Sequence, residues 1–311
     1  MILALLLSCS SPAPAPVAAP TPPSEPPPPA PRALRVALNW YPEPEFGGFY
    51  DAVLTGKYKA KGIEVTLIPG GPGAPVLEQL GASQVDVALS EAADLLVRRA
   101  LGLDAVAIFP GFQDSPVGFM VHANGPAKLE DIKGRVAIEQ GSPFQLFLSK
   151  KYGWDGKVEL VPSSGSIGAF ATDPTLVQQA YITSEPCQAS AQNIESRFLP
   201  GRDAGWNPYA SLAIVRAADL DQRWVRDFRD ASMEGWKSYL ADPTVANAEI
   251  IKLNPNMSAS FMDCVVERQK PFVTGTDGLG AMTELRWKEI ADALASTGNK
   301  VKLEGAWRQL P

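Results

Sequence analysis

Residues 34–71 read LRVALNWYPEPEFGGFYDAVLTGKYKAKGIEVTLIPGG, and they contain one complete strand–helix–strand unit. The apolar residues 34–38 predict a short strand, and residues 48–60 carry apolar side chains at helical spacing before Gly62. Residues 63–68 alternate like a second strand and end at a Pro-Gly-Gly turn. Because the helix separates two strands, we expect the strands to lie parallel in one sheet.

The same alternation continues along the chain and sets the fold class. Further strands are predicted at residues 85–89, 105–109, 117–121, 135–138, 158–161, 179–182 and 211–215. Helices are predicted at residues 74–80, 91–101 and 143–152, and then at 217–240, 243–252, 258–269 and 283–296. The strands fall in two blocks followed by helices, so the sequence predicts an α/β protein with two lobes and a ligand cleft between them.

Composition excludes several classes of function. The chain has 311 residues, with 28 basic and 34 acidic side chains, one His and three Cys. A net charge of −6 without basic clusters argues against binding of nucleic acid. One His and three Cys cannot by themselves build a zinc or iron–sulfur centre, and no apolar run approaches the ~20 residues that span a bilayer. We therefore expect neither a metal nor a cofactor.

The N-terminal residues point to a membrane anchor. Residues 1–9 read MILALLLSC, and this apolar run ending in a small residue and a cysteine resembles a bacterial lipoprotein signal. The resemblance implies cleavage before Cys9 and a lipid on its thiol. Residues 10–33 form a Pro-rich tether, with eleven of the 29 prolines between Pro12 and Pro31. The predicted location is the periplasm or cell surface, with an incidental N-terminal cysteine as the alternative.

The loop after the first predicted strand carries the first group of candidate ligand contacts. The Trp40 and Tyr41 rings could stack on a flat ligand, and Glu45 could accept hydrogen bonds from it. Gly47 and Gly48 could let the backbone approach the ligand. Glu43, in the same loop, is expected to face solvent.

Other loops at strand ends supply the rest of the predicted site. They contribute Ser90, Phe112, Glu139, Gly141, Ser142, Phe144, Thr183, Glu185, Trp206 and Tyr209. Ser90 also reads as a helix N-cap. Because strand ends are where ligands bind in open α/β sheets, we expect these side chains to surround one cleft.

Four motifs in a fixed order carry a family resemblance. They are NWYPEPEFGGFY at 39–50, GKYKAKGIEVTLIPGG at 56–71, VDVALS at 85–90 and QAYITSEP at 179–186. Together they resemble the solute-binding proteins of ABC importers, in the NMT1-like family of thiamine-precursor pyrimidine, alkanesulfonate, taurine and riboflavin binders. The resemblance implies a periplasmic-binding-protein type II fold, with residues 34–117 plus 216–311 as lobe 1 and 118–215 as lobe 2. It also implies a monomer whose partners are a small-molecule ligand and an ABC transporter permease.

The resemblance leaves the ligand open, and the side chains favour some of the ligands that it implies over others. The cleft aromatics favour a flat ring, and Glu45 and Glu185 favour a ring rich in hydrogen-bond donors. A thiamine-precursor pyrimidine or a flavin is therefore expected. The alternative is an alkanesulfonate or another small anion, held by backbone amides near Gly141 and Ser142, although the first two motifs contain no Arg.

An enzyme is the competing class. The family resembles the fungal pyrimidine synthase, but the cysteine-rich motif of that enzyme is absent from this sequence. The single histidine, His122, lies in a predicted crossover strand, where a structural role is expected. We therefore expect a binding protein rather than an enzyme.

Two cysteines remain after Cys9. Cys187 follows the last motif in lobe 2, and Cys264 lies in the C-terminal helices. A bridge between them would join elements of different lobes. We therefore expect two free, buried thiols.

Overall fold

The structure is a computed structural model that describes residues 30–311. The predicted lipidation site at Cys9 and most of the predicted tether lie outside the described residues. Within residues 30–311, no helix combines the length and apolar composition needed to span a membrane.

The first sheet has five strands in the order β2-β1-β3-β10-β4. Its strands are β1 (Arg32–Ala37), β2 (Ile63–Ile68), β3 (Val87–Ser90), β4 (Ala105–Phe112) and β10 (Ala210–Arg216). β1 runs parallel to β2 and β3, as the opening strand–helix–strand unit predicts. β10 runs antiparallel to both β3 and β4, so the sheet is mixed.

The second sheet repeats this plan, with strand order β7-β6-β8-β5-β9. Its strands are β5 (Val117–His122), β6 (Gly134–Ile138), β7 (Val158–Pro162), β8 (Val177–Tyr181) and β9 (Ser196–Pro200). β6 is parallel to β7 and β8, whereas β5 is antiparallel to β8 and β9. β9 was not predicted, because its sequence SRFLP is short and ends in proline.

In each sheet, one strand runs antiparallel to its neighbours. It is the strand that the chain forms directly after the point where it crosses from the other sheet. The chain leaves the first sheet after β4 and enters the second as β5, and it returns from β9 as β10. The predicted lobe division places most of β10 in lobe 2, but β10 pairs with strands of the first sheet. The two connections bring the sheets together with their strand ends facing a common space.

Eleven α-helices cover the sheets in the described part of the chain. They are α1 (Gly47–Leu54), α2 (Lys57–Ala60), α3 (Val76–Gly81), α4 (Ala92–Ala100), α5 (Pro143–Tyr152), α6 (Gly168–Thr172), α7 (Glu185–Ala191), α8 (Arg223–Ala241), α9 (Thr244–Leu253), α10 (Ala259–Thr274) and α11 (Glu284–Ala295). The predicted helix at 48–60 is divided into α1 and α2 because Gly56 adopts φ +76°, a left-handed conformation that ends a helix. The α/β class and the run of C-terminal helices are confirmed.

The two remaining cysteines form a disulfide, so the prediction of free thiols is wrong. The Sγ atoms of Cys187 and Cys264 are 2.03 Å apart, and their Cα atoms are 5.9 Å apart. Cys187 lies in α7, which follows β8 of the second sheet. Cys264 lies in α10, which packs against α7 and also against β4 of the first sheet. The bridge therefore joins elements of the two sheets, the arrangement that was expected to prevent it.

Candidate functional site

A cavity of about 250 Å³ lies where the carboxyl ends of strands from both sheets meet. The first sheet contributes the loop after β1, the start of α4 and part of α3. The second sheet contributes the ends of β6 and β8 and the starts of α5 and α7. This is the position at which open α/β sheets bind ligands.

Tertiary contacts hold the loop after β1 in place. The Asn254 Nδ2 donates to the Pro42 carbonyl at 3.1 Å, and the Ser211 Oγ donates to the Glu45 carbonyl at 3.3 Å. Residues Pro44–Phe46 form one 3₁₀ turn, with proline at its first position. The loop therefore presents Trp40, Glu43 and Glu45 to the cavity from a fixed backbone.

Seven of the sequence-predicted ligand contacts line this cavity. They are Trp40, Glu45, Ser90, Glu139, Ser142, Phe144 and Glu185. Ser142 also caps α5, since its Oγ accepts a hydrogen bond from the Gln145 amide at 3.2 Å. Ser90 ends β3 and does not cap α4, because Glu91 occupies that position. The structure brings these seven residues together from both sheets, as expected of strand ends.

The predicted glycine pair lies outside the cavity lining. Gly47 and Gly48 begin α1, and a Cβ atom at either position would collide with Tyr239 or Trp236 of α8. Their lack of a side chain therefore serves the close packing of two helices rather than the approach of a ligand.

Predicted aromatic contacts are also found in the packed interior. Phe112 is fully buried against Trp236, Trp206 packs against Phe144 and Phe147, and Tyr209 packs against Trp287. Tyr41 lies beside Trp40, with ring centroids 5.5 Å apart, but is not part of the lining.

Two polar predictions lie near the cavity without lining it. Thr183 is buried, and the Gly141 amide donates to the Gln145 Oε1 at 3.1 Å. The Gly141 amide therefore already has a partner in the first turn of α5.

Many lining residues were not predicted, among them the polar side chains of Glu43, Glu91, Asp94, Tyr181 and Ser184. The prediction that Glu43 faces solvent is wrong, since only 6% of this residue is exposed. Glu91 and Tyr181 directly follow or end a strand, so the strand-end rule that selected Ser90 could have found them. Asp94 follows Glu91 by three residues and so shares its face of α4.

Almost all the charged residues of the cavity lining are acidic. Seven acidic side chains line the cavity: Glu43, Glu45, Glu78, Glu91, Asp94, Glu139 and Glu185. Arg98 is the single basic side chain in the lining, and its guanidinium pairs with Glu78 at 3.0 Å. The electrostatic environment of the cavity is therefore strongly negative whenever these groups ionise.

Burial raises the pKa values of these carboxyls because it removes water from the charged form. It raises the pKa of Glu43 to about 8, helped by the charge of Glu185 and opposed by the hydrogen bond from Ser184. Burial is also the main cause that raises the pKa values of Glu91 and Glu185 to about 7. Those of Glu45 and Asp94 lie well above the ordinary range. Several of these carboxyls are therefore protonated near neutral pH.

Two hydrogen bonds cross the cavity from one sheet to the other. The Tyr181 Oη donates to the Glu91 Oε1 at 2.6 Å, and the Ser184 Oγ donates to the Glu43 Oε2 at 2.9 Å. Glu185 is held differently, because its Oε2 accepts from the Tyr181 amide of its own sheet at 2.8 Å. The carboxyls of the first sheet thus act as acceptors for hydroxyls of the second.

Comparison with proteins of known sequence gives two kinds of relative. The chain is 27% identical to the riboflavin-binding protein RibY of Chloroflexus aurantiacus, over 96% of this chain and 91% of that protein. It is 21% identical to the 4-amino-5-hydroxymethyl-2-methylpyrimidine phosphate synthase THI13 of Saccharomyces cerevisiae, over 82% of this chain and 69% of that protein. One relative is named as a binding protein and the other as an enzyme.

Solved structures share the fold at low sequence identity. The aliphatic sulphonate-binding protein SsuA of Escherichia coli superposes with a TM-score of 0.68 at 14% identity, covering 91% of this chain and 94% of that chain. The alkanesulfonate-binding SsuA of Xanthomonas axonopodis pv. citri, bound to MOPS, gives 0.69 at 13% identity, covering 90% and 99%. The fold is therefore that of the periplasmic binding proteins.

The family match covers most of the chain. The family described as "NMT1/THI5 like" matches residues 43–246, a range that begins in the loop after β1 and ends in α9. This range includes every carboxylate that lines the cavity. The chain belongs to the NMT1/THI5-like family.

Proposed function

We propose that this protein is an extracytoplasmic solute-binding protein that delivers a small, donor-rich aromatic heterocycle to an ABC importer. The observation that carries this proposal is the cavity between the two sheets, which combines the Trp40 ring with a surplus of acidic hydrogen-bond acceptors. The named function of RibY and the shared fold of the sulfonate binders support the solute-binding class. We expect a monomer anchored through Cys9, with a permease as its partner.

The acceptors favour a ligand with several N–H or O–H groups. Glu45 faces the cavity, and the Asn39 Oδ1, also in the lining, is buried without a donor among residues 30–311. A buried acceptor that lacks a partner costs about 1–3 kcal/mol, which a donor on the ligand would offset. The exocyclic amine of a thiamine-precursor pyrimidine and the ring N–H and hydroxyls of a flavin both supply such donors.

The same acidic lining argues against the alternative of an alkanesulfonate or another small anion. A sulfonate needs N–H donors or a cation, and the Arg98 guanidinium is already paired with Glu78. Placing an anion among seven acidic side chains would also incur like-charge repulsion. The sulfonate-binding structures therefore inform the fold of this chain and not its ligand.

Binding is favoured over catalysis by the position of His122. This histidine does not line the cavity; its Nε2 lies 2.9 Å from the Phe170 carbonyl, and its ring stacks on Phe170 at 3.9 Å. These contacts support a structural role for His122, and we propose no enzymatic role for it.

A panel of ligands tests the proposal. We would measure thermal shifts and then calorimetric titrations with 4-amino-5-hydroxymethyl-2-methylpyrimidine, riboflavin and MOPS. The pyrimidine or the flavin is expected to bind with a Kd in the micromolar range or below, about −8 kcal/mol or better. Binding of MOPS alone would favour the anion alternative instead.

A further inference from the structure

We infer that the ligand occupies this cavity as an organic cation and that the Glu45 carboxylate is its charged partner. The inference deepens the proposed function and rests on it. Among donor-rich heterocycles, it selects those that carry a positive charge when bound, such as a protonated or quaternary heteroaromatic ring.

Glu45 is a buried carboxyl that the protein leaves without a partner. Only 8% of the residue is exposed, and it lines the cavity. Its backbone carbonyl accepts from Ser211, but across residues 30–311 no side chain or amide donates to its carboxyl group, and no cation pairs with it. A buried carboxylate is stable only when it is paired and hydrogen-bonded, so in the free protein this carboxyl retains its proton, and a cationic ligand is the partner that would stabilise its ionised form.

The groups around Glu45 add negative charge instead of neutralising it. Glu43 from the same loop, Glu91 from α4 and Glu185 from α7 all raise the pKa of Glu45 after burial itself. Tyr181 from β8 is the remaining titratable neighbour, and its hydroxyl donates to Glu91. α9 and α10 also pack on the turn that holds Glu45, and Arg268 of α10 donates to the Ile182 carbonyl instead. Within residues 30–311, no Lys, Arg or His forms an ion pair with Glu45, and the charged groups that shift its pKa are all acidic.

The charged residues farther along the cavity wall do not neutralise this excess of acidic groups. Asp94 of α4 and Glu139 after β6 are also acidic. Arg98, the one basic residue of the lining, is ion-paired with Glu78. Its side chain is 49% exposed, so solvent screens it as well. A cationic ligand in this cavity is attracted by every ionised carboxyl that faces it, and this attraction increases its affinity.

Trp40 supplies the second contact that a flat cation requires. Its indole ring lies in the same lining as Glu45 and packs next to Gly165 of the second sheet's β7–α6 loop. An aromatic face attracts an organic cation by the electrostatic field of its ring, most strongly when water is excluded. The carboxylate and the indole together therefore favour a charged ring over a neutral ring of the same shape.

Binding of a cation should also be linked to protons. Burial raises the pKa values of Glu43, Glu91 and Glu185 to about 8, 7 and 7, and it raises the pKa of Glu45 well above its ordinary range, so these carboxyls hold protons at neutral pH. A permanently charged ligand favours their ionised forms and therefore releases protons on binding. Its affinity must rise as the pH rises through this range, since fewer protons then have to leave.

The test uses a matched pair of probes that differ in charge at about pH 8, where the aminopyrimidine is neutral and its methylated salt is a cation. We would titrate 4-amino-2-methylpyrimidine and its N1-methylated pyrimidinium salt into the wild-type protein by calorimetry. Titrations at about pH 5.5 and about pH 8, in buffers of different ionisation enthalpy, count the protons released. The pyrimidinium is expected to bind at least about tenfold more tightly at the higher pH and to release protons.

Two variants locate the charge. Glu45→Gln keeps the shape of the side chain and removes its charge, so it should weaken pyrimidinium binding about tenfold or more. Glu64→Gln, on an exposed position of β2, is the matched control and should leave the affinity unchanged. Because the pH dependence is measured on the wild type, the test stands even if Glu45→Gln folds poorly.

The outcomes separate the inference from the proposed function. If the neutral pyrimidine or riboflavin binds at least as tightly as the pyrimidinium, without proton release, the cation inference fails and the solute-binding proposal stands. If only MOPS binds, or if no probe binds at either pH, both fail.

Discussion

The Ser184 hydroxyl donates a hydrogen bond of 2.9 Å to the Glu43 carboxyl, across the cavity between the two sheets. Both residues are buried, and 141 positions separate them in the sequence. Ser184 also accepts a hydrogen bond from the Gln188 Nε2 at 3.2 Å, which orients its hydroxyl from within α7. This contact fixes the loop after β1 against the second sheet.

Removal of the Ser184 hydroxyl should destabilise the protein. Ser184→Ala leaves the Glu43 carboxyl buried without its donor, at a cost of about 1–3 kcal/mol in the free energy of unfolding. Chemical denaturation would measure the loss. Ser164→Ala, at an exposed serine of the second sheet, is the control and should change the free energy by less than about 0.5 kcal/mol. Equal stabilities of the two variants would contradict the prediction.

The ligand-free protein should lose stability as the pH rises. In the folded state the pKa of Glu43 is about 8, against 4.5 for an ordinary glutamate, and those of Glu91 and Glu185 are about 7. Between these values the folded state holds more protons than the unfolded state, so unfolding releases protons and is favoured by higher pH. We expect the melting temperature to fall from about pH 5 to about pH 8, because each carboxyl that is still protonated in the folded state lowers the free energy of unfolding by up to about 1.4 kcal/mol per pH unit.

Glu43→Gln should reduce this pH dependence without abolishing it, because it removes one of the titrating carboxyls and keeps an acceptor for Ser184. Glu64→Gln should retain the full wild-type slope. A melting temperature that is constant or rises over the interval would show that these carboxyls are already ionised in the folded state.

Trp40 should contribute directly to affinity. Trp40→Ala removes the aromatic face from the cavity, and stacking alone accounts for about 0.5–1.5 kcal/mol beyond the buried area. We therefore expect a loss of affinity of about tenfold or more, measured by calorimetry with the tightest ligand of the panel. Tyr41→Phe is the control, since Tyr41 packs beside Trp40 outside the lining. Wild-type affinity in Trp40→Ala would place the ligand elsewhere.

The disulfide should be present in the protein purified from an oxidising compartment. Thiol labelling of a chain that starts at residue 30, unfolded without reductant, should find neither Cys187 nor Cys264 reactive. Reduction should then lower stability by about 2–5 kcal/mol, as for other native disulfides. Two labelled thiols before reduction would contradict the pairing.

Lipidation of Cys9 remains a prediction from the sequence. When the gene is expressed with a complete signal, the wild-type protein should fractionate with membranes, and Cys9→Ala should become soluble. Equal membrane association of both proteins would contradict the anchor.

Sequence patterns located the loops around the cavity and seven of the residues that line it, but they missed others, Glu43 among them. Strand ends meet at one edge of a sheet, so the loops at Trp40, Ser90 and Glu139 could be placed correctly. By contrast, the burial of Glu43 depends on Ser184, and that contact is set by how the two sheets meet. The Gly47-Gly48 pair was misinterpreted for a related reason, because its packing partner on α8 is far away in the sequence.

The disulfide prediction failed because it treated the two lobes as separate bodies. It assumed that the C-terminal helices belong to lobe 1 alone. The structure shows that α10 packs against β4 and also against α7, so a bridge can form without distorting either sheet. Such sharing of one helix between two layers has no local signature in the sequence.

The position of the bridge gives the cavity a fixed side and a free side. Cys187 is two residues beyond Glu185, so the bond to α10 lies next to the wall that Glu185 forms. The residues of α3 and the start of α5, which line the cavity as well, carry no such bond. The disulfide therefore ties the wall at Glu185 to α10 by a covalent bond, whereas the walls formed by α3 and α5 depend on non-covalent packing alone.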